Sequence, residues 1–377
     1  MKFSLKAKEG SARAGILETS AGSIQTPVFM PVATQGSVKA LDNFDLEKLG
    51  AEIILGNVYH LNLRPGSDLI QKLGGLHKFM NWDRPILTDS GGFQGFSLEH
   101  LRKITEDGIS FKSHIDGSSH ILTPEKVIQI QFELGSNIWM PLDVCLPPNS
   151  NSSQIDEALQ MTSRWMERSL KEKRDFNGDL FGIVQGGLFT DLREKSVEMM
   201  TSFDLPGYSI GGLSVGESKE EMYKTLAFTT QLLPENKPRY LMGVGSPEDL
   251  LVGVKNGVDM FDCVLPTRVA RNGALFTRFG RKNITKKFYR DLDRKFDETC
   301  DCYFCENFTA AYLHHLFRAK EYLAYKLASI HNLRFLVNLM NQIRSSIENN
   351  QFERFSIDYL NDYQIADENQ RLIQRKN

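Results

Sequence analysis

Three cysteines lie within six residues of one another, at Cys300, Cys302 and Cys305. Thiolates this close cannot all be paired as disulfides, but together they supply three corners of the tetrahedral site that zinc prefers. The spacing leaves three histidines open as the fourth ligand, namely His314, His315 and His331. Because four protein ligands leave no position for water, the sequence predicts a structural zinc site rather than a catalytic one.

Two aspartates follow short apolar runs that are typical of buried strands. Asp89 opens the segment Asp89–Gln94, in which two glycines allow a ligand to approach the backbone closely. Asp262 ends the run Val258–Asp262. Two carboxylates at one site suit a double displacement at a glycosidic carbon, with one nucleophile and one acid/base. Ser90 is a further candidate nucleophile, although no Gly-x-Ser-x-Gly motif surrounds it.

Other polar groups between these aspartates are suited to reading a planar heterocycle. Asp143 and Gln185 end two further runs, and a carboxylate with an amide can address the amide and amino edge of a guanine-like base. The pair Gly211-Gly212 offers unobstructed backbone N–H groups. Phe93 and Met242 are candidates for the two faces of a sandwich around the base, and for Met242 a place in the core is equally expected.

Eight short apolar runs rich in β-forming residues recur before residue 265. They are Val28–Val32, Glu52–Asn57, Pro85–Asp89, Asn137–Asp143, Leu180–Gln185, Gly207–Gly212, Arg239–Gly243 and Val258–Asp262. Thr123-Pro124 and Ser246-Pro247 each predict the start of a helix between two runs. Eight strands alternating with helices over roughly 250 residues predict an α/β fold, the (β/α)8 TIM barrel, with its chemistry at the carboxyl ends of the strands. A doubly wound open sheet is the alternative, and the count of eight and the lack of Gly-x-Gly-x-x-Gly after the first run disfavour it.

The end of the chain differs in character from the rest. Beyond the cysteines, apolar residues recur at helical spacing from Phe308 to Ile347, without further strand-like runs. We therefore expect residues 1–295 to form the catalytic barrel domain. Residues 296–377 are expected to form a zinc-binding, mainly helical subdomain packed on it.

The composition hides a strongly basic segment. The chain has 377 residues, 41% of them hydrophobic, and a formal net charge of −2, as in ordinary soluble globular proteins. Residues 268–295, however, hold ten Lys or Arg and two Asp, a net charge of +8, which predicts a nucleic-acid surface with about half of these cations on an ordinary solvated face. No apolar run approaches the roughly 18 residues of a membrane span. The N-terminus lacks the features of a signal peptide. The odd total of five cysteines fits a reducing cytoplasm.

Several long motifs in the chain resemble those of the tRNA-guanine transglycosylases, which replace the wobble guanine of GUN-anticodon tRNAs with a 7-deazaguanine. Beside Asp89–Gln94 and the segment Phe261–Arg268, the resemblance is carried by Phe111–Gly117, Gly182–Gly187, Gly211–Glu217 and Tyr240–Gly245. These motifs follow the family's order, and the resemblance as a whole spans nearly the whole chain. The resemblance implies the barrel and its zinc-bearing appendage, and also a homodimer.

The resemblance also implies residue roles. Asp262 matches the nucleophile that attacks the ribose C1′, and Asp89 matches the general acid/base. The base pocket would comprise Ser90, Gly91, Gly92, Phe93, Asp143, Cys145, Gln185, Gly211, Gly212, Leu213, Glu217 and Met242, with Glu217 holding the Leu213 carbonyl against the substituent at position seven. The zinc ligands would be Cys300, Cys302, Cys305 and His331. The tRNA would be bound by Arg268, Arg271, Lys282, Lys286, Lys287 and Arg290.

Two departures from the bacterial family pattern bear on the incoming base. Val144 follows Asp143 where bacterial members usually have Glu, and Phe93 stands where many have Tyr. Cys145 and Val215 remain of the bacterial type. We expect 7-aminomethyl-7-deazaguanine (preQ1) as the incoming base, with queuine as the alternative. A non-catalytic tRNA-binding subunit and a zinc hydrolase or deaminase are the competing functions. The presence of both aspartates argues against the first, and the absence of an H-x-E…P-C-x-x-C pattern against the second.

Overall fold

The computed structural model describes residues 1–92, 102–174 and 176–366. Phe93, a predicted face of the base pocket, therefore lies outside the described residues. The strands are β1 Lys2–Glu9, β2 Ala12–Thr19, β3 Gly22–Thr26, β4 Val28–Met30, β5 Val32–Ala33, β6 Ile54–Asn57, β7 Ile86–Asp89, β8 Arg102–Thr105, β9 Gly108–Lys112, β10 Ser119–Leu122, β11 Ile138–Trp139, β12 Asp179–Leu180, β13 Gly182–Val184, β14 Tyr208–Ile210, β15 Arg239–Leu241, β16 Met260–Asp262, β17 Ala274–Thr277 and β18 Gly280–Asn283. The helices are α1 Asn43–Leu49, α2 Val58–Leu63, α3 Ser67–Lys72, α4 Gly75–Met80, α5 Pro124–Leu134, α6 Ser152–Lys173, α7 Thr190–Thr201, α8 Lys219–Leu232, α9 Pro247–Lys255, α10 Leu265–Arg271, α11 Tyr303–Asn307, α12 Ala310–Ala319, α13 Tyr322–Glu348 and α14 Phe352–Asp362.

The parallel strands pair in a closed ring. One set of neighbours runs in the order β12-β11-β7-β6-β5, and the other in the order β13-β14-β15-β16-β4. Only Pro31 separates β4 from β5, and only Phe181 separates β12 from β13, so each of these pairs is one interrupted barrel strand. Joining the two sets at these points gives eight strands, in which the last, β16, pairs with the first, β4. The eight predicted runs each contain one of these strands, and this order of strands is consistent with the predicted (β/α)8 barrel.

The barrel interior is filled by the apolar residues of these short strands. A cluster that includes Leu55, Leu87, Ile138, Ile183 and Met260 is almost fully buried. The strands read as continuous apolar runs because both of their faces are covered, one by this interior and the other by helices. Polar residues are therefore displaced to the strand ends, where they meet solvent.

The two predicted helix starts are observed. Helix α5 begins at Pro124, and the Thr123 hydroxyl accepts a hydrogen bond from the Lys126 N–H at 3.2 Å. Helix α9 begins at Pro247, but the Ser246 hydroxyl donates to Asp249 at 2.5 Å instead of capping the backbone. Proline at the first helical position costs no hydrogen bond, which explains both starts.

Three small antiparallel sheets were not foreseen from the sequence. Strands β1, β2 and β3 form the first, β8, β9 and β10 form the second, and β17 and β18 form the third. Arg13 of the first sheet donates from Nε and Nη2 to both carboxylate oxygens of Asp259, which precedes β16. The first sheet is therefore attached to the amino-terminal end of the barrel, opposite the strand ends that carry the polar residues.

The C-terminal region is helical, as predicted. Its longest helix, α13, has 27 residues and packs against α10, α11 and α12, the strand β17 and the first sheet. Asn332 on α13 donates to the Pro266 carbonyl at 3.0 Å and accepts from the Phe276 N–H at 2.9 Å. The helix thus joins the segment after the last barrel strand to the cysteine cluster. Within the described ranges, no helix has the length and apolar character that crossing a membrane requires.

Candidate active site and metal centre

Asp89 is held at the end of β7 by three hydrogen-bond donors. Asn57, at the end of the neighbouring β6, donates from Nδ2 to Asp89 Oδ2 at 2.5 Å. The N–H groups of Val58 and Gly91 donate to Asp89 Oδ1 at 3.2 and 3.1 Å. Gly91 has a φ of 77°, and a Cβ on it would lie 2.9 Å from that of Tyr59, so only glycine allows this turn to close around the carboxyl.

Asp262 is held at the end of β16 by a different pair of donors. The Tyr240 hydroxyl donates to Asp262 Oδ1 at 2.6 Å, and the Gly243 N–H donates to the same oxygen at 2.8 Å. Burial raises the pKa of Tyr240 well above its ordinary value, so the phenol keeps its proton and remains a donor. Both of these donors lie on Oδ1, and within the part of the chain that the structure describes no group donates to Oδ2.

The two carboxyls are close enough to affect each other's proton affinity. Burial raises the pKa of Asp89 to about 7, and the charge of Asp262 adds to this rise against the lowering effect of the hydrogen bonds. Burial also raises the pKa of Asp262, while its hydrogen bonds to Tyr240 and Gly243 lower it. Near neutral pH, Asp89 therefore exchanges a proton readily, as a general acid/base must.

Asp143 and Gln185, which follow two other barrel strands, contact each other at the same end of the barrel. Gln185 donates from Nε2 to Asp143 Oδ2 at 2.7 Å, and both side chains are buried. Burial raises the pKa of Asp143 to about 6, although the Gln185 hydrogen bond lowers it. A Cβ on Gly92 would lie 3.1 Å from Asp143 Oδ1, so the Asp89–Gly92 turn also borders this pair. The structure thus brings the acid/base candidate and the base-reading candidates to one place.

Glu217 organises the loop after β14. Its carboxylate accepts hydrogen bonds from the N–H groups of Ser214, Val215 and Gly216. The Leu213 carbonyl belongs to the same trans peptide as the Ser214 N–H, so it points away from Glu217. The predicted contact between the Leu213 carbonyl and the substituent at position seven of the base requires this orientation of the carbonyl.

Three further candidates for the pocket are Ser90, Cys145 and Met242. Ser90 accepts a hydrogen bond from the Gly92 N–H at 3.2 Å, which gives its hydroxyl a place in the turn. Cys145 is buried two residues after Asp143. Met242 is partly buried and packs against the apolar barrel interior.

Sequence reasoning missed two of the side chains around the carboxyls. Asn57 ends a predicted strand next to that of Asp89, so strand adjacency was the signal that could have found it. Tyr240 lies within a family motif and in the middle of β15, where its ring reads as core; only the hydrogen bond reveals its contact with Asp262.

Of the three candidate histidines, His331 is the one whose ring lies next to the three cysteines. The Nδ1 atom of His331 lies 3.5, 3.6 and 3.4 Å from the Sγ atoms of Cys300, Cys302 and Cys305. All four ligand atoms lie within 4.8 Å of one another, and all four residues are buried. Zinc bonds of about 2.3 Å to sulfur and about 2.0 Å to nitrogen at tetrahedral angles would separate sulfur from nitrogen by about 3.5 Å. The cluster therefore has the spacing of a four-ligand metal site.

The surrounding contacts fit the same assignment. His331 Nε2 lies 2.8 Å from the Phe276 carbonyl, a contact that needs the proton on Nε2 and leaves Nδ1 free to coordinate. His314 lies 2.8 Å from the Ile284 carbonyl through its own Nδ1, and His315 is exposed. Within the described ranges, these two histidines do not belong to the ligand group.

The basic residues predicted to bind tRNA differ in exposure. Arg268, Lys286, Lys287 and Arg290 are exposed, whereas Arg271 and Lys282 are half-buried. Other cations of the segment serve the fold: Arg278 stacks on Tyr359 at 4.1 Å and bonds to the carbonyls of Asp358 and Tyr359. The sequence predicted an ordinary solvated face for about half of these cations, whereas Arg278 is half-buried and packs against α14.

Comparison with known proteins places this site in a family. The profile of the family described as queuine tRNA-ribosyltransferase matches residues 8–365. A queuine tRNA-ribosyltransferase of Dictyoglomus turgidum is 55% identical over 97% of this chain and 95% of its own length. Those of Caldanaerobacter subterraneus and Herpetosiphon aurantiacus are 56% and 55% identical, over 93% and 96% of this chain and 94% and 92% of their own lengths. The chain therefore belongs to the queuine tRNA-ribosyltransferase family.

Proposed function

We propose that this enzyme is a tRNA-guanine transglycosylase that exchanges the wobble guanine of GUN-anticodon tRNAs for preQ1 in queuosine biosynthesis. The observation that carries the proposal is the pair Asp89 and Asp262 at one barrel mouth, coupled in charge but held by different donors. A pentosyl transfer through two displacements needs one carboxylate to attack and one carboxyl to move a proton.

In the proposed first step, Asp262 Oδ2 attacks the ribose C1′ of the wobble nucleotide. A C1′–O bond to Asp262 forms as the bond between C1′ and N9 of guanine breaks, and the departing base takes its proton from Asp89. Tyr240 and Gly243 hold the other oxygen of Asp262, which fixes the direction of attack. In the second step, Asp89 accepts a proton from the incoming base, whose N9 attacks C1′ and releases Asp262. One glycosidic bond replaces another, so no energy cofactor is needed.

The base-reading groups would act on the Watson–Crick edge of the displaced base. The Asp143 carboxylate would accept from the N1–H and 2-amino groups of guanine, while Gln185 and the Gly212 N–H would donate to O6. The wobble base must leave its stack to reach them, at a cost of a few kcal/mol. This cost is smallest in an anticodon loop, whose bases are already unpaired.

The Leu213 carbonyl supports an incoming base that carries an amine on its 7-substituent. It faces away from Glu217 and can accept a hydrogen bond from that amine. Both preQ1 and queuine have such an amine. The apolar Val144 and the bacterial-type Cys145 and Val215 lead us to propose preQ1, with queuine as the alternative.

The tRNA would lie against the segment that leaves β16. Arg268 is exposed, and Arg271 beside it has a buried Nη1 that lacks a hydrogen-bond partner in the described part of the chain. Burial lowers the pKa of Arg271, and the neighbouring charge of Arg268 lowers it further. Two adjacent guanidinium groups of this kind favour a phosphate between them. Lys282, Lys286, Lys287 and Arg290 would extend the contact.

The metal centre would serve the structure rather than the reaction. Four ligands from the chain would hold one zinc ion per subunit, and zinc would supply the charge that allows three buried thiolates to share one site. The reduced thiols that this requires fit the cytoplasm. We also propose the division into a barrel domain of residues 1–295 and a zinc-binding subdomain of residues 296–377, and a homodimer as the working form.

The alternative is a non-catalytic tRNA-binding subunit. Such a subunit would have no use for an aspartate with a pKa of about 7 beside a second carboxyl. The enzyme is therefore the favoured proposal.

The deciding experiment offers the purified protein one GUN-anticodon tRNA with radiolabelled guanine, preQ1 or queuine. We expect guanine and preQ1 to enter the tRNA and the wild-type protein to form a denaturation-resistant adduct with tRNA. Asp262→Asn should fold and bind tRNA but form no adduct, because the amide is a poor nucleophile. Wild-type exchange rates in this variant would remove Asp262 as the nucleophile, and incorporation of queuine without preQ1 would overturn the proposed substrate.

A further inference from the structure

Arg193 is a buried cation that has not entered the mechanism so far. It lies on α7, and none of its surface is exposed. Its guanidinium lies between the segments that follow β13 and β14, which contain Gln185 and Gly212. A charge this deeply buried is costly unless it is paired, so its position calls for an explanation.

All observed partners of Arg193 are backbone carbonyls. Nε donates to the Gly187 carbonyl at 2.8 Å, and Nη1 donates to the Gly211 carbonyl at 2.9 Å and to that of Val184 at 3.3 Å. Nη2 is buried without a hydrogen-bond partner, and among the described residues no carboxylate forms an ion pair with this arginine. Arg193 therefore joins two loops instead of neutralising an acid.

One of these carbonyls shares its peptide group with a predicted N–H donor of the base pocket. The Gly211 carbonyl belongs to the same peptide as the Gly212 N–H, and in a trans peptide the two point in opposite directions. Because Nη1 holds the carbonyl on the α7 side, the Gly212 N–H is turned away from Arg193. The peptide between Val184 and Gln185 is also held by α7, because Ser196 on this helix accepts from the Gln185 N–H at 3.0 Å.

The charge of Arg193 is felt in the pocket. Burial lowers its pKa to about 10, and the charges of Cys145 and Glu217 oppose this effect. Both are predicted pocket residues. A Cβ on Gly212 would lie 3.5 Å from Nη2 of Arg193, so the guanidinium lies directly behind the Gly212 peptide. A hydrogen bond from a cation to the Gly211 carbonyl polarises this peptide and makes its N–H a stronger donor.

We propose that Arg193 is a positioning residue for base recognition: it orients and polarises the Gly211–Gly212 peptide so that the Gly212 N–H donates to the carbonyl oxygen of the base. The inference rests on the proposed base exchange and names the group that sets its selectivity for a 6-oxo purine. Arg193 itself does not touch the base. Its effect should fall on the recognition of O6, at one end of the Watson–Crick edge. Asp143 would read the N1–H and the 2-amino group along the rest of that edge.

The test compares two variants, Arg193→Lys and Arg193→Gln, with the matched control Arg239→Lys. Arg239 is also a buried arginine that donates to backbone carbonyls, those of Leu233 and Gly257, but it lies at the start of β15, at the other end of the barrel. Inhibition of labelled guanine exchange is measured with 2-aminopurine, which lacks O6, and with hypoxanthine, which lacks the 2-amino group. Each inhibition constant is divided by the KM for guanine.

We expect the 2-aminopurine ratio to fall about tenfold in the Arg193 variants, as for the loss of one well-oriented hydrogen bond. The hypoxanthine ratio should stay near the wild-type value, and Arg239→Lys should change neither ratio. Equal changes of both ratios, unchanged ratios, or the same effect in Arg239→Lys would overturn the proposal. Failure of both Arg193 variants to fold would also count against it, because that result assigns the residue to the fold. If the wild-type protein exchanges no guanine, the proposed function fails instead.

Discussion

At the residue scale, two aspartates of the same type receive different chemistry from their hydrogen bonds. Asp89 shares its two oxygens among three donors and is raised to a pKa of about 7, chiefly by burial. Asp262 receives both Tyr240 and Gly243 on Oδ1, and no residue in the described ranges donates to its Oδ2. The first is therefore suited to moving a proton, and the second to attack.

This difference predicts a pH dependence for the release of guanine. In the proposed mechanism Asp89 donates a proton in the first step, so the single-turnover rate should decline as pH rises through about 7, where the carboxyl loses its proton. Asn57 donates to the Asp89 carboxylate and so lowers its pKa. Removing this donor in Asn57→Ala should raise the pKa of Asp89 and move the decline to higher pH.

The measurement is the rate of guanine release from tRNA under single-turnover conditions across this pH range. Asn256→Ala is a suitable control, because the Asn256 amide donates only to the Val252 carbonyl, on the helix before β16, at 2.8 Å. A decline that does not move in Asn57→Ala, or that moves downward, would contradict the role of Asp89.

At the element scale, the long helix α13 carries a ligand to a cluster that is 26 residues away in the chain. The helix is tied to the hairpin of β17 and β18 through His331 and Asn332. Metal binding should thus stabilise the contact between this hairpin and the helical region.

We predict that His331→Ala loses its zinc while His314→Ala keeps it. Without Nδ1 of His331, three thiolates would share an incomplete site, whereas His314 contacts the Ile284 carbonyl through Nδ1 and lies outside the ligand group in the described part of the chain. The zinc content after dialysis, measured by atomic absorption, should be about one per chain in the wild-type protein and in His314→Ala. Equal losses in the two variants would show that the ligand assignment is wrong.

In the basic segment 268–295, some cations form contacts within the protein and others are exposed to solvent. Arg278 stacks on Tyr359 and forms an ion pair with Asp362, and Arg281 lies over the Phe276 ring. Arg278 therefore holds the hairpin of β17 and β18 to α14, whereas the Arg281 contact lies within the hairpin. Exposed members such as Arg268 and Lys286 remain available to a polyanion.

At the scale of the whole molecule, a buried ion pair that stabilises the barrel lies at one end of the strands, and the candidate catalytic carboxyls lie at the other. Arg13 and Asp259 form a buried bidentate ion pair at the amino-terminal end, with 1% and 0% of their side chains exposed. Asp259 also accepts from the Arg239 N–H at 2.7 Å. Asp89 and Asp262, the carboxyls proposed to react, lie at the opposite end of the strands.

We predict that Asp259→Asn lowers the free energy of unfolding by about 3–5 kcal/mol, because it leaves a buried guanidinium without its counter-charge. The folded protein should still exchange guanine at close to the wild-type rate. Urea unfolding and exchange assays below the transition would measure the two effects. Asp68→Asn is the matched control: it removes an exposed pair with Lys72 and should leave stability unchanged. Equal stability of the two variants would contradict the prediction.

The sequence by itself determined the eight barrel strands, the polar residues at their ends and the three cysteines. Strands with both faces buried are continuous apolar runs, so their positions can be read locally. The family motifs added the roles expected of Asp89 and Asp262, whose assignment still rests on experiment.

The tertiary structure decided which groups meet. Asp89 and Asp262 are far apart in the chain, and only closure of the ring between β16 and β4 brings their charges together. The choice of His331 over His314 and the role of Arg193 likewise depend on short contacts between separate segments, such as 3.4 Å from His331 Nδ1 to Cys305 Sγ and 2.9 Å from Arg193 Nη1 to the Gly211 carbonyl. Hydrogen bonding and coordination act over such distances, and residue type and spacing along the chain do not specify them.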